Sequence, residues 1–281
     1  MTSPTDAKTL LARAGLKAKK SWGQNFLKDE SVLTRIAAAT KVGPGESILE
    51  LGAGMGALTQ QLLVRGAKVT AVERDREMVP ILRENMEGVG DLTILEANAG
   101  ELDYADLARR NGGPLTVAGN LPYQLSSRIL VNLADAQPHV ARAVLMVQRE
   151  VAERLVASPG SRTYGLLSVL VQRAFDANIA FEVPPGAFHP PPKVHSAVVS
   201  LTLKRDRLPP DLDAKLVAVT RAGFSARRKT LRNSIAGGLG LSSAEADSLL
   251  AKAGIEPTRR AETLALDELR LIAEVYEPPR S

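Results

Sequence analysis

The chain has 281 residues, 44% of them hydrophobic and 24% charged, with a formal net charge of +5. Such a length allows one large domain or two modest ones around a sizeable core, and no apolar run is long enough to span a bilayer. The absence of cysteine excludes disulfides, thiolate catalysis and cysteine-ligated zinc, while the basic excess suits a polyanionic partner without requiring one.

The opening residues, "MTSPTDAKTLLARAG", lack a basic start, apolar core and cleavage site, so no secretory signal is expected and a cytoplasmic location is. Lys17, Lys19 and Lys20 cluster before "SWGQNFL" and give residues 1–30 the character of a basic arm. From residue 47 short apolar runs, "SILELG", "KVTAVE", "LTILEA", "PLTVAG" and "RAVLMV", alternate with stretches of helical period, "GALTQQLLVRG", "REMVPILRENME" and "SSRILVNLAD". This is the rhythm of a parallel sheet covered by helices on both faces, and a doubly wound α/β architecture is expected.

After these comes "LLSVLVQRAF", read as a helix. "ANIAFEVP" and "HSAVVSLTLK" are read as two strands forming an antiparallel end to the sheet. The charged, proline-containing "KRDRLPPDLD" suits a linker. Beyond it the pattern predicts helices alone, at about 213–223, 227–238, 243–253 and 266–276. The expected organisation is a catalytic domain over 1–207 and a small all-helical domain over 208–281. Arg227, Arg228, Lys229 and Arg232 form a second basic cluster in "FSARRKTLRNSI", which together with the arm makes nucleic acid a partner to consider.

The first strand ends in "LELGAGMGALT", where Gly52, Gly54 and Gly56 let backbone approach a ligand closely. Glu73 ends the second strand, where an acid can bind ribose hydroxyls. The spacing is G-x-G-x-G and not the dinucleotide fingerprint G-x-G-x-x-G. It resembles the first motif of S-adenosylmethionine-dependent methyltransferases, and Asn98 sits at the third strand end, where such enzymes bind the adenine edge.

At the fourth strand end stands "GNLPY". An adenine N6 amine is a poor nucleophile because its lone pair is delocalised into the ring. The Asn120 side-chain oxygen and the Leu121 carbonyl can accept its two N–H bonds, Pro122 stiffens the turn, and Tyr123 offers a ring for stacking. Taken singly, Asn120 reads better as a turn residue capping the next helix and Tyr123 as core or interface packing; one strand after a cofactor site, the functional reading prevails. Phe188, in the proline-stiffened "GAFHPPPK", is a candidate second stacking face or an anchor for its loop. A base inside a duplex must be unpaired or flipped to reach such a pocket. His139, His189 and His195 show no metal-ligand spacing, and no metal is expected.

Taken with "KKSWGQNFL", "AVERD", "FHPPPKVHSAVV" and "RRAETLALDELRLIA", these motifs resemble, over nearly the whole chain, the KsgA-type (RsmA) ribosomal RNA adenine dimethyltransferases. The resemblance implies a Rossmann-like methyltransferase domain, S-adenosylmethionine as cofactor, and two adjacent adenosines in a 3′-terminal hairpin loop of 16S RNA as substrate in the assembling 30S subunit. It also implies that Asn25, Leu27, Gly52, Gly54, Glu73, Asn98 and Asn120 contact the cofactor. Tyr123 and Phe188 would clamp the base, with the basic clusters on RNA backbone. A monomer is expected. Asn98 stands where the family usually has aspartate, which predicts weaker cofactor binding. The rivals are the macrolide-resistance methyltransferases of 23S RNA, a non-catalytic assembly factor, a nicotinamide dehydrogenase and a DNA adenine methyltransferase.

Overall fold

The computed structural model describes residues 6–19, 22–226 and 228–278. They form two compact units, residues 1–152 with 176–203 and residues 153–175 with 204–281.

In the first unit, α1 (Ala7–Arg13) starts on Asp6, whose carboxylate accepts from the Thr9 amide. It packs Leu10 and Leu11 in one cluster with Met55 and Met78. Then follow β1 (Phe26–Leu27), α2 (Glu30–Ala39), β2 (Ser47–Leu51), α3 (Ala57–Leu63), β3 (Lys68–Glu73), α4 (Met78–Asn85) and β4 (Leu92–Glu96). The chain continues through α5 (Tyr104–Asn111), β5 (Leu115–Asn120), α6 (Ser126–Asp135) and β6 (Val140–Gln148) to α7 (Arg149–Leu155). After the second unit takes α8 (Leu166–Gln172), the strands β7 (Phe175–Val183), β8 (Phe188–His189) and β9 (Ser196–Leu203) complete the first.

Seven strands make one sheet in the order β4-β3-β2-β5-β6-β9-β7. The pairs from β4 to β6 are parallel, and β9 runs antiparallel to β6. The strands expected from the apolar runs are all present. They are legible because a strand covered on both faces is apolar throughout: Ala143 to Val147 of β6 are wholly buried. Gly119 of β5 lies so near β2 that a Cβ there would sit 2.4 Å from the Leu51 carbonyl oxygen, so only glycine fits.

A second, two-stranded sheet has no counterpart in the sequence reading. β1 and β8 pair antiparallel, Phe26 opposite His189 and Leu27 opposite Phe188, and the Lys28 amide donates to Ala187 O at 2.9 Å.

The second unit holds α9 (Pro210–Gly223), α10 (Leu231–Leu239), α11 (Ser243–Lys252) and α12 (Leu266–Val275). Their shared core includes Leu216, Ile235, Leu250 and Ile272, together with Ala157, Tyr164 and Val169 from the 153–175 excursion. The helix over 166–172, placed by the sequence reading within 1–207, therefore packs with the C-terminal helices. Tyr164 donates its hydroxyl to Leu264 O at 2.9 Å, and Arg173 pairs with Asp213 at 2.6 Å. α9 and α10 cross closely: a Cβ on Gly238 would lie 2.5 Å from Ala222 Cα. The helix expected from 227 begins at Leu231, because Thr230 is extended and the Leu231 and Arg232 amides donate to Arg259 O and Pro257 O. Among the described residues no helix is long and apolar enough to cross a membrane.

Candidate active site

The sheet order reverses between β2 and β5, and ligands of open α/β sheets bind in the crevice at such a point. Here the crevice is walled by the glycine loop after β2, the strand end at Glu73, the turn at Asn98, the Asn-Leu-Pro-Tyr turn after β5 and the segment 22–27. Every cofactor-contact residue expected from the sequence, from Asn25 to Asn120, lies on this one wall.

Gly52, Gly54 and Gly56 have φ of +74°, +57° and +95°, values that L side chains rarely adopt. A Cβ on Gly52 would lie 3.2 Å from the Asn120 carbonyl oxygen, so the loop and the turn after β5 are in contact at backbone level. Glu73 braces the loop: its carboxylate accepts from the Gly54 amide and from the Asp75 amide, each at 2.8 Å. Burial raises the Glu73 pKa, and the bonds to the Asp75 and Gly54 amides oppose it. Asn98 caps the turn Ala99–Glu101 by accepting from the Gly100 amide at 3.0 Å, and its Nδ2 donates to Glu101 Oε1 at 2.9 Å.

Asn120 donates from Nδ2 to the Asn25 carbonyl at 3.1 Å. The partner is a carbonyl oxygen, so the amide nitrogen must face it, and Oδ1 remains as an acceptor with no bond among the described residues. Leu121 is buried, and its amide donates to Met146 O at 3.1 Å, which fixes the turn on β6. Tyr123 is half-buried with its hydroxyl 2.7 Å from Ser196 Oγ.

Phe188 does not line the crevice. It is 1% exposed, in the same core cluster as Leu33, Ile36 and Val198. Leu27, its partner in register, belongs to the same cluster, so the ring packs in the core behind the strand that lines the crevice. Lys19 also departs from expectation. Its Nζ is 2.7 Å from Asp75 Oδ1 and pairs with Glu77, so the charge is matched within the chain. Lys17, Arg228 and Lys229 are exposed, and Arg232 lies 3.5 Å from Asp247. Lys20 and Arg227 lie outside the described residues.

Four features escaped the sequence reading. Trp22 lines the crevice with the Arg74 guanidinium 4.0 Å and Lys19 Nζ 4.7 Å from its ring. It is the chain's single tryptophan, next to "GQNFL", and that was the available signal. Gln24 donates to Asp75 at 2.7 Å. Burial tends to raise the Asp75 pKa, but the Lys19 and Gln24 bonds outweigh it and hold the carboxyl below its usual value. Glu50, 1% exposed within an apolar strand, accepts from Thr59 Oγ1 at 2.6 Å, and burial pushes its pKa up to about 8. Ser196 carried no sequence signal. Among the described residues no cluster of three or more metal-ligating side chains occurs.

A glycine loop, a strand-end acid and a doubly wound sheet with an antiparallel final strand define a Rossmann-like methyltransferase. Of solved structures, a dimethyladenosine transferase from Plasmodium falciparum shares the fold with a TM-score of 0.72 at 26% identity, covering 89% of this chain and 96% of that one. The 23S rRNA methyltransferase ErmE gives 0.65 at 23% identity, with 89% and 99% covered, a likeness of fold alone. The chain belongs to the ribosomal RNA adenine dimethylase family, whose model matches residues 15–277. Among curated relatives it is 52% identical over 273 residues to the ribosomal RNA small subunit methyltransferase A of Anaeromyxobacter sp. (strain K), covering 93% of this chain and 94% of the relative. To the protein of the same name from Myxococcus xanthus it is 46% identical over 281 residues, covering 99% and 96%.

Proposed function

We propose that the chain dimethylates the N6 amines of two adjacent adenosines in the 3′-terminal hairpin loop of 16S ribosomal RNA. It would do so on the assembling small subunit, as a cytoplasmic monomer. The observation that carries this reading is the orientation of Asn120, whose nitrogen is taken by Asn25 O while Oδ1 is left as an acceptor on the crevice wall. Relatives at 46% and 52% identity bear the small-subunit name, which supports that substrate over large-subunit RNA.

The crevice fits S-adenosylmethionine. The glycines at 52 and 54 leave room that a Cβ would narrow, Glu73 offers carboxyl oxygens to ribose hydroxyls, and Leu27 supplies apolar wall. When bound, that group supplies an electrophilic methyl on a sulfonium, so the chemistry is an in-line displacement. The chain's own residues prepare the nucleophile. In the first transfer Asn120 Oδ1 and the Leu121 carbonyl accept the two N–H bonds of the amine, and in the second one of them accepts the single N–H that remains, holding the lone pair out of the ring plane. Tyr123 offers the face on which the unpaired base stacks. Positive charge would develop on the amine nitrogen as it takes the methyl, and the same oxygens would stabilise it. The proton then leaves to solvent, so no histidine is needed as a base. Exposed Arg228 and Lys229 supply salt-dependent affinity for phosphates without reading sequence.

The test is tritiated methyl transfer onto undermethylated small and large subunits, comparing wild type with Asn120→Ala. Incorporation approaching four methyls per small subunit, mapped to two adjacent dimethyladenosines and abolished by the substitution, is expected. Label confined to large subunits would place the activity in the resistance class. Tight small-subunit binding without label would make it an assembly factor.

A further inference from the structure

β9 runs against the parallel strands, so its first residue lands at their carboxyl edge, beside the crevice. That residue is Ser196, wholly buried and paired in register with Gln148, the last residue of β6. Its Oγ lies 2.7 Å from the phenolic oxygen of Tyr123. The other end of Tyr123 is held as well, since its carbonyl accepts from Ser126 Oγ at 3.0 Å in the turn that opens α6.

A ring that only stacks on a base needs a face, and phenylalanine has the same face. The hydroxyl of Tyr123 therefore does a different job. With the backbone fixed by the turn and the para oxygen fixed by β9, rotation about the Cα–Cβ bond is blocked and the long axis of the ring is set. Asn120, three residues earlier, is oriented independently through Asn25. The stacking surface and the acceptor for the amine thus have separate anchors, one on β9 and one on the segment before β1.

We infer that Ser196 is a positioning residue for the target base: its hydroxyl keeps the Tyr123 ring from swinging away from the site where a stacked adenine presents its amine to Asn120 Oδ1. The inference rests on the reading of Tyr123 as the stacking face. Reacting groups must meet within a narrow range of distance and angle, so a ring free to swing lowers the rate even when the base still binds.

Methyl transfer onto undermethylated small subunits and the calorimetric affinity for S-adenosylhomocysteine are to be measured for wild type, Tyr123→Phe, Ser196→Ala, the double variant and Tyr123→Ala. Tyr123→Phe and Ser196→Ala are each expected to lower kcat/KM about five-fold, the worth of one neutral hydrogen bond. The double variant should lose no more than either alone, with S-adenosylhomocysteine affinity unchanged throughout. Additive losses in the double variant would overturn the inference. So would a Ser196→Ala variant that is fully active, or one whose cofactor affinity falls in step with its activity. Full activity in Tyr123→Ala would instead remove the stacking role of the ring, and with it the reading on which the tether rests.

Discussion

The side chain of Asn120 reaches across 95 positions of sequence to donate to the backbone of Asn25 at 3.1 Å. An aspartate at 120 would set a carboxylate oxygen against that carbonyl, two acceptors with no proton between them. Asn120→Asp is therefore expected to lose activity although it keeps an oxygen for the target amine. Loss of one preorganised polar group in a reacting site costs on the order of 100-fold in kcat. Single-turnover methyl transfer by Asn120→Asp and Asn120→Ala checks this, and near-wild-type rates for the aspartate variant would contradict the orientation argument.

Asp75, 2% exposed, is held ionised by Lys19 and Gln24. Its lowered pKa gives stability that is complete above the unfolded carboxyl's value and is lost as pH falls through the lower folded value. Lys19→Met leaves a buried carboxylate short of a partner and is expected to cost about 1–3 kcal/mol at neutral pH. Chemical denaturation from pH 3 to pH 7 should show the gap between variant and wild type closing on the acid side.

Glu50 behaves in the opposite sense. Burial raises its pKa to about 8, so the folded chain binds a proton that the unfolded chain has released. Stability from this group is present below the unfolded value, declines as pH rises, and is gone once pH passes about 8. Glu50→Gln keeps an oxygen for Thr59 and should flatten the fall in melting temperature of the cofactor-free protein between pH 5 and 8. An unchanged slope would rule Glu50 out as its source.

Restoring aspartate at position 98 is expected to fail on its own. Asn98 Nδ2 lies 2.9 Å from Glu101 Oε1, so Asn98→Asp sets two carboxylates together. Because Glu101 is exposed, the cost is about 0.5–1 kcal/mol. The Asn98→Asp/Glu101→Gln double variant should bind S-adenosylhomocysteine more tightly than Asn98→Asp, as read by calorimetry. Equal affinities would show that Glu101 does not limit the exchange.

Arg228 and Lys229 are exposed in the turn before α10. If they neutralise phosphates, removing both lowers the slope of log K against log salt by roughly 0.7–0.9 per lost contact. Binding of Arg228→Ala/Lys229→Ala to small subunits over a salt series measures it. A parallel shift with the slope unchanged would place these residues off the RNA.

The parallel sheet was legible because buried strands such as 143–147 are apolar without interruption, and the crevice because glycine, acid and amide fall at successive strand ends. What was hidden depended on partners far along the chain. The apolar face of 166–172 has the same pattern whichever core it joins. Lys19 shows a charge in the sequence, but not that Asp75 would neutralise it. Phe188 shows an aromatic beside prolines, and only its packing with Leu33, Ile36 and Val198 reveals that the ring lies in the core. Ser196 acquires meaning solely from the reversed direction of β9.

The pairing of β1 with β8 also sets a clock on biosynthesis. A nascent chain released as far as residue 187 already carries the glycine loop, the strand-end acid Glu73 and the Asn-Leu-Pro-Tyr turn, yet Phe26 and Leu27 still lack the strand they pair with. Ser196 has not been added, so Tyr123 is untethered. The wall of the crevice can close only once residues 188–196 have left the ribosome, well after the glycine loop and the turn that they complete.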